Sequence, residues 1–210
     1  MTKKEITILI VEDHHITRLG LRIVLESIPG LVVVGEADNG TLALKKIFEL
    51  APDVTLLDIG LPQIDGIECL KRVKVLGGSS RIMIRSSHEE YAAVLAALAA
   101  GTDGYCLKDS TDELLVEGIK CLANGKAWLD PRIAGQLASY FAKNSSRNNS
   151  GIAQLIKPSL LNQEVALLTA IVNKTQFDQT YDTCQGLHET DLLRNLMKKM
   201  GAMGAPGPDA

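Results

Sequence analysis

Six polar side chains stand where short apolar runs end. Glu12 and Asp13 follow "ITILIV", Asp58 follows "VTLL", Ser86 and Ser87 close "RIMIRSS", and Lys108 follows "GYCL". Any one of them is explained by the polarity of strand ends. As a group they are not. If the runs are neighbouring strands of an open parallel sheet, their carboxyl ends face one crevice, because the loops leave the sheet there. Three carboxylates held close raise one another's pKa unless a cation intervenes. An all-oxygen donor set with room for water suits Mg2+ rather than zinc or copper. Lys108 supplies a point charge able to meet a phosphoryl group. A metal, a carboxylate nucleophile, a lysine and a hydroxyl are the parts required to form and hold an aspartyl phosphate. His14 and His15 look more metal-like than the acids beside them, but no soft ligand stands at a spacing that zinc could use; they are assigned to the start of a helix.

The elements that must position these groups follow from the hydrophobic pattern. Strands are expected over 6–12, 31–37, 53–59, 81–86 and 104–108, as continuous apolar runs of the kind covered by helices on both faces. Between them, 15–28, 39–50, 65–76, 89–100 and 110–125 carry helical periodicity. Ser110 and Glu113 have the spacing of a capping box for the last of these. Strands alternating with helices predict an α/β domain, a doubly wound five-stranded parallel sheet of the flavodoxin-like type, over residues 1–128. A further amphipathic helix is expected from Pro131, a favoured first helical residue, with Trp128 in local packing. The Ser- and Asn-rich "NSSRNNSG" that follows reads as a linker, making 129–151 a connecting segment and 152–210 a second, small all-α domain.

Composition sets limits on what this chain can be. It has 210 residues, 46% hydrophobic and 22% charged, with a formal net charge of -3, which describes an ordinary globular protein with no global basic excess for nucleic acid or an anionic membrane. The N-terminal apolar run is too short for a signal peptide or a membrane span, so a cytoplasmic protein with no membrane partner is expected. Cys69, Cys106, Cys121 and Cys184 form no CxxC pair, and are read as reduced thiols.

The blocks "ILIVEDHHITRLGLRIVLE", "GEADNGTLAL", "PDVTLLDIGLPQIDGIE" and "GTDGYCLKD" resemble the receiver domain of bacterial two-component response regulators, in particular the NarL/FixJ branch, over roughly residues 5–125. The resemblance implies that Asp58 accepts a phosphoryl group from a sensor histidine kinase. It further implies that Asp13, Asp58 and the backbone carbonyl of Gly60 hold Mg2+ directly, with Glu12 acting through water. Lys108 would pair with the phosphate, Ser86 would supply the switch hydroxyl, and Tyr105 would be the aromatic that turns inward with it. The protein would then be a phosphoacceptor rather than an enzyme with a foreign substrate, apart from slow autodephosphorylation. The face bearing Tyr105 would serve homodimerisation on activation. Two positions depart from the family pattern. Gly60 replaces a larger residue, although the metal needs only its carbonyl, and Arg85 occupies a usually apolar position, placed here on the exposed side of the strand end.

In that branch a LuxR-type helix-turn-helix follows the linker and binds DNA. Here "LLNQEVALLTAIV" aligns with its first helix and "LLRNLMKKMGA" with the end of its recognition helix, but the intervening stretch is short and lacks the expected glycine turn. From residue 152 five basic side chains face six acidic ones, a net of -1. Since DNA affinity rests largely on phosphate neutralisation, Arg194, Lys198 and Lys199 are the candidate contacts of a diverged helix-turn-helix. Two readings follow: a phosphorylation-controlled, DNA-binding transcriptional regulator, or a receiver whose tail is a protein-interaction or dimerisation module.

Overall fold

The computed structural model describes residues 5–87 and 91–137. The second domain expected over 152–210, the linker, and Arg194, Lys198 and Lys199 lie outside the described residues. Strands and helices alternate as β1 (Ile6–Val11), α1 (His15–Glu26), β2 (Leu31–Ala37), α2 (Gly40–Leu50), β3 (Val54–Asp58), α3 (Gly66–Val75), β4 (Arg81–Ser86), α4 (Tyr91–Ala99), β5 (Gly104–Leu107), α5 (Asp112–Ala123) and β6 (Trp128–Leu129). All strand pairs are parallel, in the order β2-β1-β3-β4-β5-β6. The order turns back on itself at β1, so the crevice between the ends of β1 and β3 is the switch point at which ligands collect in such sheets.

Side chains alternate across the sheet and divide the core in two. Leu9, Val11, Leu57, Ile82, Ile84, Tyr105 and Leu107 pack under α2, α3 and α4. Ile8, Ile10, Leu56, Met83 and Cys106 pack under α1 and α5. Both faces are covered, which is why the strands read as unbroken apolar runs. The helices begin on polar caps: His14, Asn39, Asp65 and Thr111 each accept a backbone N–H of the first turn. The cap of α5 is therefore Thr111 and not Ser110, whose hydroxyl is turned to Asp130 instead.

Six strands stand where five were expected. β6 is two residues long, too short to show a period in sequence, and it pairs Gly104 with Trp128 and Tyr105 with Leu129. Trp128 packs so closely on α5 that a Cβ at Gly118 would lie 2.9 Å from its ring and 2.7 Å from Met83 Cε. The expected boundary at 128 falls inside β6. Residues 131–137 are helical, and Ile133, Ala134 and Leu137 are fully buried in the core that contains Tyr105. The packed unit thus runs on through 137. Among the described residues no helix is long and apolar enough to cross a membrane.

Candidate functional site

The three carboxylates named from the sequence meet at the switch point. Glu12 directly follows β1, Asp13 follows it, and Asp58 is the last residue of β3; one oxygen of each lies within 4.8 Å of the others. Glu12 and Asp58 are buried and Asp13 is exposed. Lys108, the residue after β5, reaches across with Nζ 2.8 Å from Glu12 Oε2 and 2.9 Å from Asp58 Oδ2. Its own N–H donates to the Ser86 carbonyl at 2.9 Å, so β4 fixes the root of the side chain. Burial works against the Lys108 ammonium, but the hydrogen bonds to Glu12 and Asp58 outweigh it and hold its pKa above the ordinary value. The lysine is therefore a fixed positive charge at neutral pH.

One ammonium facing three carboxylates leaves an excess of negative charge, two of its sources buried. A divalent cation would relieve it, and the donors present are all oxygens, which fits Mg2+. The backbone beside the cluster is close-packed. A Cβ at Gly60 would lie 3.8 Å from Asp58 Oδ2, so the loop after β3 passes next to that carboxylate. At Gly66 a Cβ would fall 2.0 Å from the Asp58 carbonyl oxygen, so only glycine lets α3 begin against the end of β3. Between them Gln63 takes a positive φ of 68°.

Ser86 and Tyr105 are both fully buried, and the two side chains share a hydrogen bond. Ser87 is exposed. Burial raises the Tyr105 pKa, the Ser86 bond partly offsets this, and the charge of Asp58 adds to the rise, so the phenol stays neutral. Tyr105 is thus turned into the core in this structure and is not part of an outer face.

Two residues differ from, or escaped, the reading of the sequence. Arg85 is not on an exposed side: it is half-buried, its Nη2 donates to the Lys108 carbonyl at 2.9 Å, and its Nε and Nη1 are buried without a hydrogen-bond partner among the described residues. Strand alternation puts it on the Cys106 side of the sheet, beneath α5. Arg18 was missed. Its Nη1 donates to the Glu12 carbonyl at 2.6 Å, and its Nε to Glu36 Oε2 at 3.1 Å, tying the turn that carries Glu12 and Asp13 to β2. The available signal was Glu36, a charge interrupting an otherwise apolar strand. His14 behaves as expected, its Nδ1 accepting the Thr17 N–H to open α1.

Comparison with known proteins agrees with this geometry. A family description, "Response regulator receiver domain", matches residues 8–120. The nitrate/nitrite response regulator protein NarL of Escherichia coli (strain K12) is 33% identical over 71% of this chain and 69% of its own. The transcriptional regulatory protein LiaR of Bacillus subtilis (strain 168) is 29% identical over 91% of this chain and 90% of its own. A solved two-component response regulator of the LuxR family from Aurantimonas sp. SI85-9A1 superposes with a TM-score of 0.64 at 34% identity, covering 66% of this chain and 99% of that one.

Proposed function

The chain belongs to the response regulator receiver family, and on that premise we propose that it takes a phosphoryl group on Asp58 from a sensor histidine kinase and passes the change of state to a DNA-binding C-terminal region. The observation that carries this reading is the Lys108 ammonium shared between Glu12 and Asp58, with Asp13 beside them. A carboxylate with an adjacent fixed cation and a cluster of oxygen donors suited to a divalent ion is arranged to attack phosphorus and to neutralise the charge that spreads over the equatorial oxygens.

In the reaction an Asp58 oxygen forms a bond to phosphorus as the bond to the kinase imidazole breaks, and the imidazole leaves with the bonding pair. Lys108 meets the incoming charge. Asp13, Asp58 and the Gly60 carbonyl would hold Mg2+, with Glu12 acting through water; when bound, the ion supplies charge neutralisation at the transferring group. The product adds about two negative charges and three acceptor oxygens. Ser86 then has two competing partners, Tyr105 and the phosphoryl group, and its choice between them biases the site between two conformations. The protein is an acceptor, with hydrolysis of its own aspartyl phosphate as the only turnover.

The similarity to LiaR continues into the C-terminal region, which supports a transcriptional output. Arg194, Lys198 and Lys199 are the proposed phosphate contacts, and homodimerisation on activation would add the second half-site that a near-neutral module needs for useful affinity. We place the protein in the cytoplasm, where kinase and DNA are both accessible. Acetyl phosphate with Mg2+ should label the wild-type chain and leave Asp58→Asn unlabelled; label persisting in that variant would overturn the assignment. Phosphorylated protein should bind duplex DNA with a steep salt dependence. No binding at low salt would exclude the DNA output and favour a protein-interaction tail.

A further inference from the structure

A second polar cluster lies beside Lys108, and none of the roles above uses it. Arg132 makes a two-pronged pair with Asp109, Nη1 to Oδ2 at 2.9 Å and Nη2 to Oδ1 at 2.7 Å. The same Nη2 reaches Ser110 Oγ at 3.1 Å, and Nε lies 3.4 Å from Asp130 Oδ1. Asp130 is fully buried. Its Oδ1 accepts the Arg132 N–H at 3.0 Å and its Oδ2 accepts the Ser110 hydroxyl. A buried carboxylate satisfied on both oxygens is expensive to disturb, because breaking one partner leaves an uncompensated charge.

Backbone contacts lead from this cluster in two directions. Asp130 N–H donates to the Tyr105 carbonyl at 2.8 Å, and the Asp130 carbonyl accepts from Ala134 N–H at 3.0 Å. Asp130 therefore follows β6 and opens the helix over 131–137, whose Ile133, Ala134 and Leu137 are packed in the same core as Tyr105. One proposed switch residue touches this segment directly, and Lys108 is covalently joined to Asp109, the anchor of Arg132. From 137 the chain leads on to the C-terminal region.

We propose that residues 128–137 are the strap that couples the acceptor site to the C-terminal region, with Asp109, Ser110, Asp130 and Arg132 as its latch. The inference rests on the phosphoacceptor reading of Asp58. A movement of Lys108 or Tyr105 on phosphorylation shifts the strap, and by linkage the state of the strap shifts the site. The coupling element is a packed two-ended piece of structure and needs no long path through the core.

The test uses the full chain with acetyl phosphate and Mg2+, comparing wild type, Asp58→Asn, Arg132→Ala and Asp109→Asn. Label on Asp58 is measured together with amide hydrogen exchange over 128–210. Wild type should take label and change exchange over both the strap and the C-terminal region by severalfold. Arg132→Ala and Asp109→Asn should take label to a similar extent and lose the C-terminal response. A wild-type response in a labelled Arg132→Ala protein would overturn the coupling. If Arg132→Ala does not fold, Asp109→Asn decides the question alone, since its carboxylate is largely exposed and its loss leaves buried Asp130 satisfied. Failure of wild type to label at Asp58 would instead refute the underlying function, an outcome distinct from label without coupling.

Discussion

Arg85 shows how one residue can be seen in the sequence and still be misplaced by it. An arginine in "RIMIRS" is conspicuous, but whether it lies in water or under a helix depends on α5, far along the chain. Among the described residues, its bond to the Lys108 carbonyl is set against two buried nitrogens, Nε and Nη1, with no acceptor. Unsatisfied buried donors cost about 1–3 kcal/mol, more than one hydrogen bond contributes. Arg85→Met, which keeps the length and removes the donors, is therefore expected to raise stability by about 1 kcal/mol in urea unfolding; a loss would mean that the Lys108 contact outweighs the desolvation. The acids and Lys108 were legible because their signal is local, a charge at the end of an apolar run. Arg18 was not, since its partners are a backbone carbonyl and a residue of another strand. The buried thiols carry a residue-scale pH dependence. Burial pushes Cys69 and Cys106 up to about 11. Above pH about 9 the unfolded chain loses these protons while the native one keeps them, so stability falls with rising pH until about 11. The loss should be on the order of 2 kcal/mol per thiol. Unfolding at pH 8 and 10.5 should show a larger drop for wild type than for a Cys69→Ala, Cys106→Ala protein, and equal drops would refute the account.

At the scale of elements, what was legible was whatever repeats. Five helices and five strands announce themselves by period, and their observed ends fall within a few residues of the expected ones. β6 escaped because a two-residue strand has no period, and its existence depends on β5 presenting a free edge. The cap of α5 moved from Ser110 to Thr111 for a similar reason: Ser110 is bound to Asp130, a partner that local spacing does not reveal. The junction of β3 and α3 is the most demanding of these element contacts. Gly66 allows the helix to start where any Cβ would overlap the Asp58 carbonyl. Gly66→Ala must push the helix from the strand end, and a clash of that depth in packed backbone is expected to cost about 3 kcal/mol. Because the displaced residue adjoins the acceptor, acetyl phosphate labelling should fall by far more than the folded fraction does. A variant that folds fully and labels at the wild-type rate would show that the loop absorbs the change without moving Asp58.

For the molecule as a whole, folding and site assembly are one event. The chain has to bring residues 12, 13, 58 and 108 from three strand ends into one crevice, which concentrates negative charge where the unfolded chain has little. That arrangement makes stability a function of divalent cation concentration. An ion bound by the native cluster and not by the unfolded chain stabilises by mass action, about 2.7 kcal/mol when its concentration is a hundred times the dissociation constant. Thermal unfolding should therefore shift upward with Mg2+ along a saturating curve, and the shift should be much reduced in Asp13→Asn and Asp58→Asn. Lys108→Ala provides the contrast, since it removes the only cation paired with Glu12 and Asp58 among the described residues. Without Mg2+ that variant should be less stable than wild type, because two buried carboxylates are left facing each other, and its gain on adding Mg2+ should be larger. Unfolding temperatures that ignore Mg2+ in wild type and in Lys108→Ala alike would mean that the cluster is held by its lysine alone, and would remove the metal from the proposed mechanism.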